Sequence, residues 1–241
     1  MPTETGFPKS RTPIVSASLD QANFRAIPGC PVLHGGATFY RCRNLFSPSP
    51  ALRLIIKESR IKAVIDLRVE KEIASFPDDL SFLEENGILY KNCPIHDILH
   101  CGNTEVLSED LFLDYQDILL GHTEEIRSVF QALAFLSKPV LFHCNAGKDR
   151  TGVIALLLED LFGVDRQGKR RDYEKTEGNR WAMRKGGLPD HSKNLPDVFL
   201  HATGETIEKT MALLERLGGA KAYLLSTGVA EAELENIKRG E

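Results

Sequence analysis

The chain has 241 residues, 27% charged and 42% hydrophobic, and 34 acidic against 30 basic side chains give a formal charge of -4. That length is read as one large domain with insertions, and the charge balance excludes the basic character of a nucleic-acid binder. No apolar run approaches the roughly 20 residues that span a bilayer, and MPTETGFPKSRTP lacks the basic-then-apolar order of a secretory leader. Stable membrane insertion is therefore excluded and a cytoplasmic location expected. The five cysteines, Cys30, Cys42, Cys93, Cys101 and Cys144, include no CxxC pair and no histidine at zinc-ligand spacing. They are read as free thiols, and no metal or cofactor is implied.

Residues 1–20, rich in Pro, Ser and Thr, predict a flexible N-terminal arm ahead of a single domain over 21–241. Structure is expected from about Asn23. Lys62–Arg68 and Ile88–Ile95 are β-branched or alternating runs that predict strands, with a short helix over Phe82–Gly87 closed by its glycine. Thr123 is placed to cap a helix whose apolar positions Ile126, Val129, Phe130, Leu133 and Leu136 repeat at three and four. A third strand over Val140–His143 leads through a glycine-bearing loop into Val153–Leu158, apolar on every side as a buried central helix is, and Gly163 ends it. Asp165–Asp190, polar and basic, predicts loops and broken helix. Helical period returns through Ile207, Met211, Leu214 and Leu217, and two short helices follow Gly218-Gly219 as far as Lys238. Strands alternating with helices make this an α/β chain with a central, mostly parallel sheet flanked by helices, and such sheets bind ligands at the strands' carboxyl ends.

One such end is His143–Gly152, HCNAGKDRTG. A strand ending at Cys144, a loop through Gly147 and a helix starting near Arg150 aim several backbone N–H groups at one point, an arrangement that binds an anion. The same field favours thiolate over thiol and makes Cys144 a nucleophile. Arg150, six residues on, offers a planar fork for two oxygens of a tetrahedral dianion. That spacing is peculiar to Cys144: at the same distance Cys30, Cys42, Cys93 and Cys101 are followed by Gly36, Pro48, Leu99 and Leu107. These four are read as structural thiols.

His143, Cys144-x5-Arg150 and Thr151-Gly152 together resemble the signature loop of cysteine-dependent protein tyrosine phosphatases. The inner Gly147–Gly152 is similar to the branch of bacterial and lower-eukaryotic tyrosine and dual-specificity phosphatases, some of which act on phosphoinositides. Asn23-Phe24-Arg25, Tyr40-Arg41, Asp66-Leu67-Arg68 with Glu72, Asp172-Tyr173 with Thr176, Tyr223-Leu224 and Glu231 fall in similar order, so the resemblance covers about Asn23 to Lys238. It departs at Ala26-Ile27-Pro28-Gly29, where the family usually has Asp-Leu-Gly-Gly, and at Cys42, where a serine commonly stands; both positions touch the rim of the site as the family places it.

The resemblance implies a three-layer tyrosine phosphatase-like fold and two-step hydrolysis of a phosphoprotein or phosphoinositide through a cysteinyl-phosphate. Cys144 attacks phosphorus, while Arg150 and the N–H groups from Asn145 through Ala146, Gly147, Lys148 and Asp149 to Arg150 hold the oxygens. Thr151 donates to the departing sulfur or else caps the helix, and His143 orders the loop through its ring nitrogens. The superfamily's Trp-Pro-Asp loop is absent, since the only tryptophan is Trp181, followed by Ala182. Asp149 is the acid the narrower family suggests, with Asp97 and Asp66 as alternatives on strand ends; the competing reading of Asp149 is an ion pair with Arg150 or a lysine. Lys148 is either a second phosphate contact, as in lipid-directed relatives, or a solvated side chain at the loop's edge. Lys169-Arg170-Arg171 and Arg184-Lys185 form an outer basic rim or a wet surface, and Arg68 is expected to pair with Glu72. The rival readings are a rhodanese-type sulfurtransferase, an arsenate reductase resolved by Cys101, and a phosphate-binding module without catalysis. A metal-dependent phosphatase is disfavoured because no clustered His and Asp ligands stand in the sequence.

Overall fold

The computed structural model describes residues 22–96, 108–185 and 202–241, with the backbone alone for 108–110 and 178–185. The strands are β1 (Arg25–Ala26), β2 (Val32–Leu33), β3 (Gly36–Ala37), β4 (Phe39–Cys42), β5 (Ala63–Asp66), β6 (Leu89–Asn92) and β7 (Val140–His143). A five-stranded sheet runs β1-β4-β7-β5-β6, and all its pairings are parallel except that of β1 with β4. Pairing of β7 with both β4 and β5 sets Cys42, His143 and Asp66 side by side at the carboxyl edge. β2 and β3 form a separate ribbon.

Alternation along the strands divides the core in two. Phe39, Ile65, Val140 and Phe142 face one helical layer: α4 (Ser108–Gly121), α5 (Thr123–Phe135), α6 (Asp149–Leu161), α8 (Gly204–Arg216), α9 (Gly219–Ser226) and α10 (Glu231–Arg239). Tyr40, Val64 and Leu141 face α1 (Pro50–Glu58) and α3 (Leu80–Glu85) on the other side. Three layers result, as expected for this α/β class. α6 is central, with Val153 to Leu158 all buried, which is why it carries no polar face. α2 (Glu70–Ser75) lies beside the site and buries no side chain fully.

Three expectations are corrected. Thr123 is the first residue of α5, and His122 occupies the capping position. Of the stretch expected to be loops and broken helix, Arg166–Lys185 is one continuous helix, α7. It has no apolar stripe to announce it; Asp172, Tyr173 and Thr176 are its buried anchors, and Arg170 pairs with Glu174 one turn on. β4, α1 and α4 were not anticipated from periodicity. The expected arm over 1–20 lies outside the described residues. No described helix is long and apolar enough to cross a membrane.

Candidate active site

Cys144 follows β7 directly, and α6 starts at Asp149 with Lys148 in the capping position. The turn between them is tight. Gly147 has φ +66°, and a Cβ there would stand 2.2 Å from the Cys42 carbonyl oxygen, so only glycine allows the loop to lie on β4.

Donors beneath the loop orient its peptides. The Asn44 amide donates to the Asn145 carbonyl at 3.0 Å. Asn23 Nδ2 donates to the carbonyls of Ala146 (3.4 Å) and Gly147 (2.9 Å), and Arg41 Nη2 donates to Gly147 at 2.7 Å. A trans peptide sets its N–H opposite its C=O. With three successive carbonyls held from below, planarity turns the N–H groups of Ala146, Gly147 and Lys148 away from those donors.

Those donors belong to a buried charge network. Asp172 takes Arg25 Nε at 2.7 Å and Arg41 Nη1 at 3.0 Å, and Arg25 Nη2 also reaches Thr176 Oγ1 at 3.1 Å. Burial alone would raise the Asp172 carboxyl, but the two guanidinium groups hold it down to about 2. Glu159 is buried beside them, and desolvation, followed by the Asp172 charge, pushes its carboxyl well above the ordinary value.

A second network grips the strand end. Asp66 receives Arg68 through Nε (2.9 Å) and Nη2 (2.7 Å) and the Tyr90 hydroxyl at 2.8 Å; Arg68 Nη2 also reaches Asp78 Oδ1 at 2.8 Å. His143 Nε2 stands 2.9 Å from Asp78 Oδ2 and its Nδ1 lies 3.1 Å from the Cys144 carbonyl. Burial favours neutral imidazole, but Asp78 and then Asp66 overcome it and raise His143 to about 9. The ring is thus cationic at neutral pH and donates to Cys144 O.

At the mouth, Arg150 Nη1 and Nη2 bind Glu72 at 2.7 and 2.6 Å, and Nη1 also donates to the Ile95 carbonyl at 3.2 Å. Glu72 further receives Asn145 Nδ2 at 3.0 Å and the Val69 amide at 3.0 Å. Desolvation opposes its charge, but Arg150, Val69 N–H and Arg68 together keep its carboxyl below the ordinary value. Asp149 Oδ1 accepts from the Tyr115 hydroxyl at 2.8 Å and lies 3.2 Å from Lys148 Nζ; Tyr115 and Tyr173 hydroxyls meet at 2.7 Å. Burial pushes both phenols upward, so they remain hydrogen-bond donors across the ordinary pH range.

The fold therefore brings together His143 through Thr151, with Cys144 only 3% exposed. Asp66, offered as an alternative acid, is fully buried and held in two-pronged fashion by Arg68, which withdraws it from the mouth. Asp97, Cys101 and the side chains of Arg184 and Lys185 lie outside the described residues. Arg68 does not pair with Glu72; its carboxylates are Asp66 and Asp78, and Glu72 goes to Arg150. Lys148 is buried against Asp149 rather than solvated. Thr151 is not the helix cap, and its Oγ1 is buried without a hydrogen-bond partner among the described residues. Of the departures expected at the rim, Cys42 is fully buried on β4 and Ile27 is 2% exposed, whereas Ala26 and Pro28 are half-buried and Gly29 is exposed. Lys169 pairs with Asp160 and Arg170 with Glu174, while the exposed Arg171 reaches only Gln167 among the described residues. Tyr115 and Glu159 were missed, since nothing in their local spacing marks them, and Tyr173 entered only within the resemblance, with no role attached.

The family model of the tyrosine phosphatase family matches residues 18–240. A tyrosine-protein phosphatase of Nostoc commune is 29% identical over 224 residues, covering 83% of this chain and 72% of that protein. The triple specificity protein phosphatase PtpB of Mycobacterium tuberculosis is 27% identical over 124 residues, 42% of this chain and 43% of its own length. Among solved structures, the core catalytic domain of the PP-IP phosphatase SIW14 from S. cerevisiae has a TM-score of 0.35 at 18% identity, covering 81% of this chain and 93% of that one. P. aeruginosa TpbA has a TM-score of 0.38 at 16% identity, over 86% of this chain and 91% of its own.

Proposed function

This chain belongs to the tyrosine phosphatase family and is a protein tyrosine phosphatase, and on that premise we propose that it hydrolyses phosphoprotein monoesters through a cysteinyl-phosphate on Cys144. In the first step Cys144 Sγ forms a bond to phosphorus as the ester P–O bond breaks, and the leaving oxygen takes a proton from Asp149. In the second, water adds to phosphorus, the S–P bond breaks, and Asp149 recovers a proton from that water. The oxygens of the transferring group are held by the loop N–H groups and Arg150.

The observation that carries this reading is the set of three loop carbonyls tied down by Asn44, Asn23 and Arg41, which turns the corresponding amides to one side around Cys144. Arg150 has two forks of paired donors. Glu72 holds Nη1 and Nη2, and the guanidinium it aligns at the mouth is the group we assign to the phosphate oxygens. Asp149 Oδ1 is engaged by Tyr115 and Lys148, so Oδ2 of this partly exposed carboxyl is assigned the transferable proton. The buried Thr151 hydroxyl is assigned to the departing sulfur.

Phosphoinositides are the second substrate class, for which Lys148 is the supporting residue; its engagement with Asp149 favours phosphoproteins over them. Turnover of p-nitrophenyl phosphate, a phosphotyrosine peptide, a phosphoserine peptide and inositol lipids tests both readings. Parent protein is expected to hydrolyse the phosphotyrosine peptide best and Cys144→Ser to lose turnover while still binding phosphate. Normal hydrolysis by Cys144→Ser would remove the nucleophile. Asp149→Asn is expected to slow alkyl esters far more than p-nitrophenyl phosphate, about 100-fold against a few-fold, because only poor leaving groups need the proton; equal slowing would remove the acid.

A further inference from the structure

Outside the phosphate-binding loop, the fold collects two imidazoles and a carboxylate that linear spacing does not reveal. His96 follows the end of the β6 segment, His122 sits at the junction of α4 and α5, and Glu125 is in the first turn of α5. His96 Nδ1 and His122 Nδ1 both approach the same oxygen, Glu125 Oε1, at 3.3 and 3.1 Å. The ligand atoms of all three residues lie within 4.8 Å of one another.

The two nitrogen–oxygen separations match a first-row metal site. With bonds of about 2.0–2.1 Å to nitrogen and oxygen, the ligands of a tetrahedral Zn²⁺ stand about 3.3 Å apart. Two neutral imidazoles and one carboxylate are a donor set such an ion takes, with a position over for water or an anion. A second observation points the same way. His122 uses Nδ1 toward the cluster, and its other ring nitrogen, Nε2, lies 3.6 Å from Asp117 Oδ2, longer than a hydrogen bond but close enough for that carboxylate to take the ring N–H once the metal holds Nδ1. The rings of His96 and His122 lie nearly parallel, 20° apart with centroids at 5.8 Å, and both present Nδ1 to the one carboxylate.

We infer that His96, His122 and Glu125 bind a divalent transition-metal ion of the zinc class, with Asp117 orienting His122. The location gives the ion a consequence. His96 is the residue after Ile95, whose carbonyl receives Arg150 and whose amide donates to Leu67 O at 3.0 Å. Metal at this cluster ties that segment to the start of α5, and so fixes one wall of the arginine's seat.

Because a cysteine thiolate also binds zinc, the test uses the Cys144→Ser chain, free of any histidine tag, titrated with Co²⁺ as spectroscopic probe. One equivalent is expected, with the visible bands of a low-coordinate nitrogen and oxygen site and no sulfur charge-transfer band. His96→Ala, at a side chain 70% exposed and so neutral to folding, and Glu125→Gln are each expected to weaken binding more than about 100-fold. Asp117→Asn keeps the stoichiometry with affinity about 10-fold lower. Zn²⁺ is expected to raise the melting temperature of the Cys144→Ser chain and not of the same chain carrying His96→Ala. Absence of stoichiometric uptake, or uptake of unchanged affinity in the His96→Ala/Glu125→Gln double variant, would overturn the site, whatever the outcome of the phosphatase assays.

Discussion

Two buried ionic networks flank the 143–152 loop, and they do different work with similar parts. On one side Arg25, Arg41 and Asp172 lie under the loop itself, and their surplus donors, with Asn23, end on the carbonyls of Ala146 and Gly147. On the other, Arg68, Asp66 and Asp78 lie under the strand end, and their surplus charge falls on His143. The first network dictates which way peptide groups point; the second dictates the charge of one ring. A buried ion pair by itself is weak evidence for stability, because desolvation offsets the attraction. What these pairs contribute is direction in one case and protonation in the other, so damage to them should appear in different measurements.

The largest separation is expected at Gly147. Replacing it by alanine puts a methyl group against the Cys42 carbonyl at 2.2 Å in a left-handed backbone, so the loop must rise from β4 and its amides move by about an ångström. A displacement of that size lowers kcat/KM about 100-fold, and steady-state assays with p-nitrophenyl phosphate should show it with little change in melting temperature. Activity within a few-fold of the parent would mean that the loop amides need no support from β4.

Next in size is Arg41→Met, which removes the 2.7 Å donor to Gly147 O and leaves Asp172 to Arg25, with the exposed Lys175 4.0 Å away. Breaking a buried pair costs on the order of 3–5 kcal/mol, and here kcat should fall by at least tenfold as well. Asp78→Asn, in the other network, is expected to cost stability with a smaller loss of kcat. If the two variants lost activity and stability in equal proportion, the division of labour between the networks would be wrong.

These residues show where sequence reading reached its limit. Cys144 to Arg150 is contiguous, so its spacing was legible and the fold places the whole run at one strand end. The supports were legible only as motifs in similar order: Arg41 and Asn23 lie 106 and 124 positions from Gly147, and nothing local says that their donors end on its carbonyl. Arg68 misled for a physical reason. A four-residue spacing to Glu72 implies contact on a helix, but α2 begins only at Glu70, so Arg68 points back to Asp66 while Glu72 turns to Arg150. The layer order was legible from strand and helix alternation, whereas α7 was not, because polar anchors rather than an apolar stripe hold it.

The charge of His143 gives the comparison a pH signature. Its folded value, about 9, lies above the ordinary 6.5, so the ion pair with Asp78 stabilises the fold fully below about pH 6.5 and is lost as pH rises through 9. Its size is on the order of 3–4 kcal/mol. Urea unfolding at pH 6.5, 8 and 9.5 should show the parent losing stability over that window and Asp78→Asn losing much less. Arg41→Met should keep the parent's slope, since its partner Asp172, held near 2, is ionised throughout.

The smallest effect is expected at the one place where helices α4 and α7 reach the mouth together. Tyr115 donates to Asp149 and meets Tyr173, and both phenols are buried among apolar side chains. Removing the Tyr115 hydroxyl frees Asp149 Oδ1 from one of its two partners while Lys148 stays in place. Tyr115→Phe should therefore leave the binding of inorganic phosphate unchanged and lower kcat by about 3- to 10-fold, with the larger loss on esters of poor leaving groups. Because the bond lies outside both ionic networks, the pH slope of unfolding should match the parent's. A loss that ignored the leaving group would place Tyr115 in the frame of the loop rather than in the orientation of the acid.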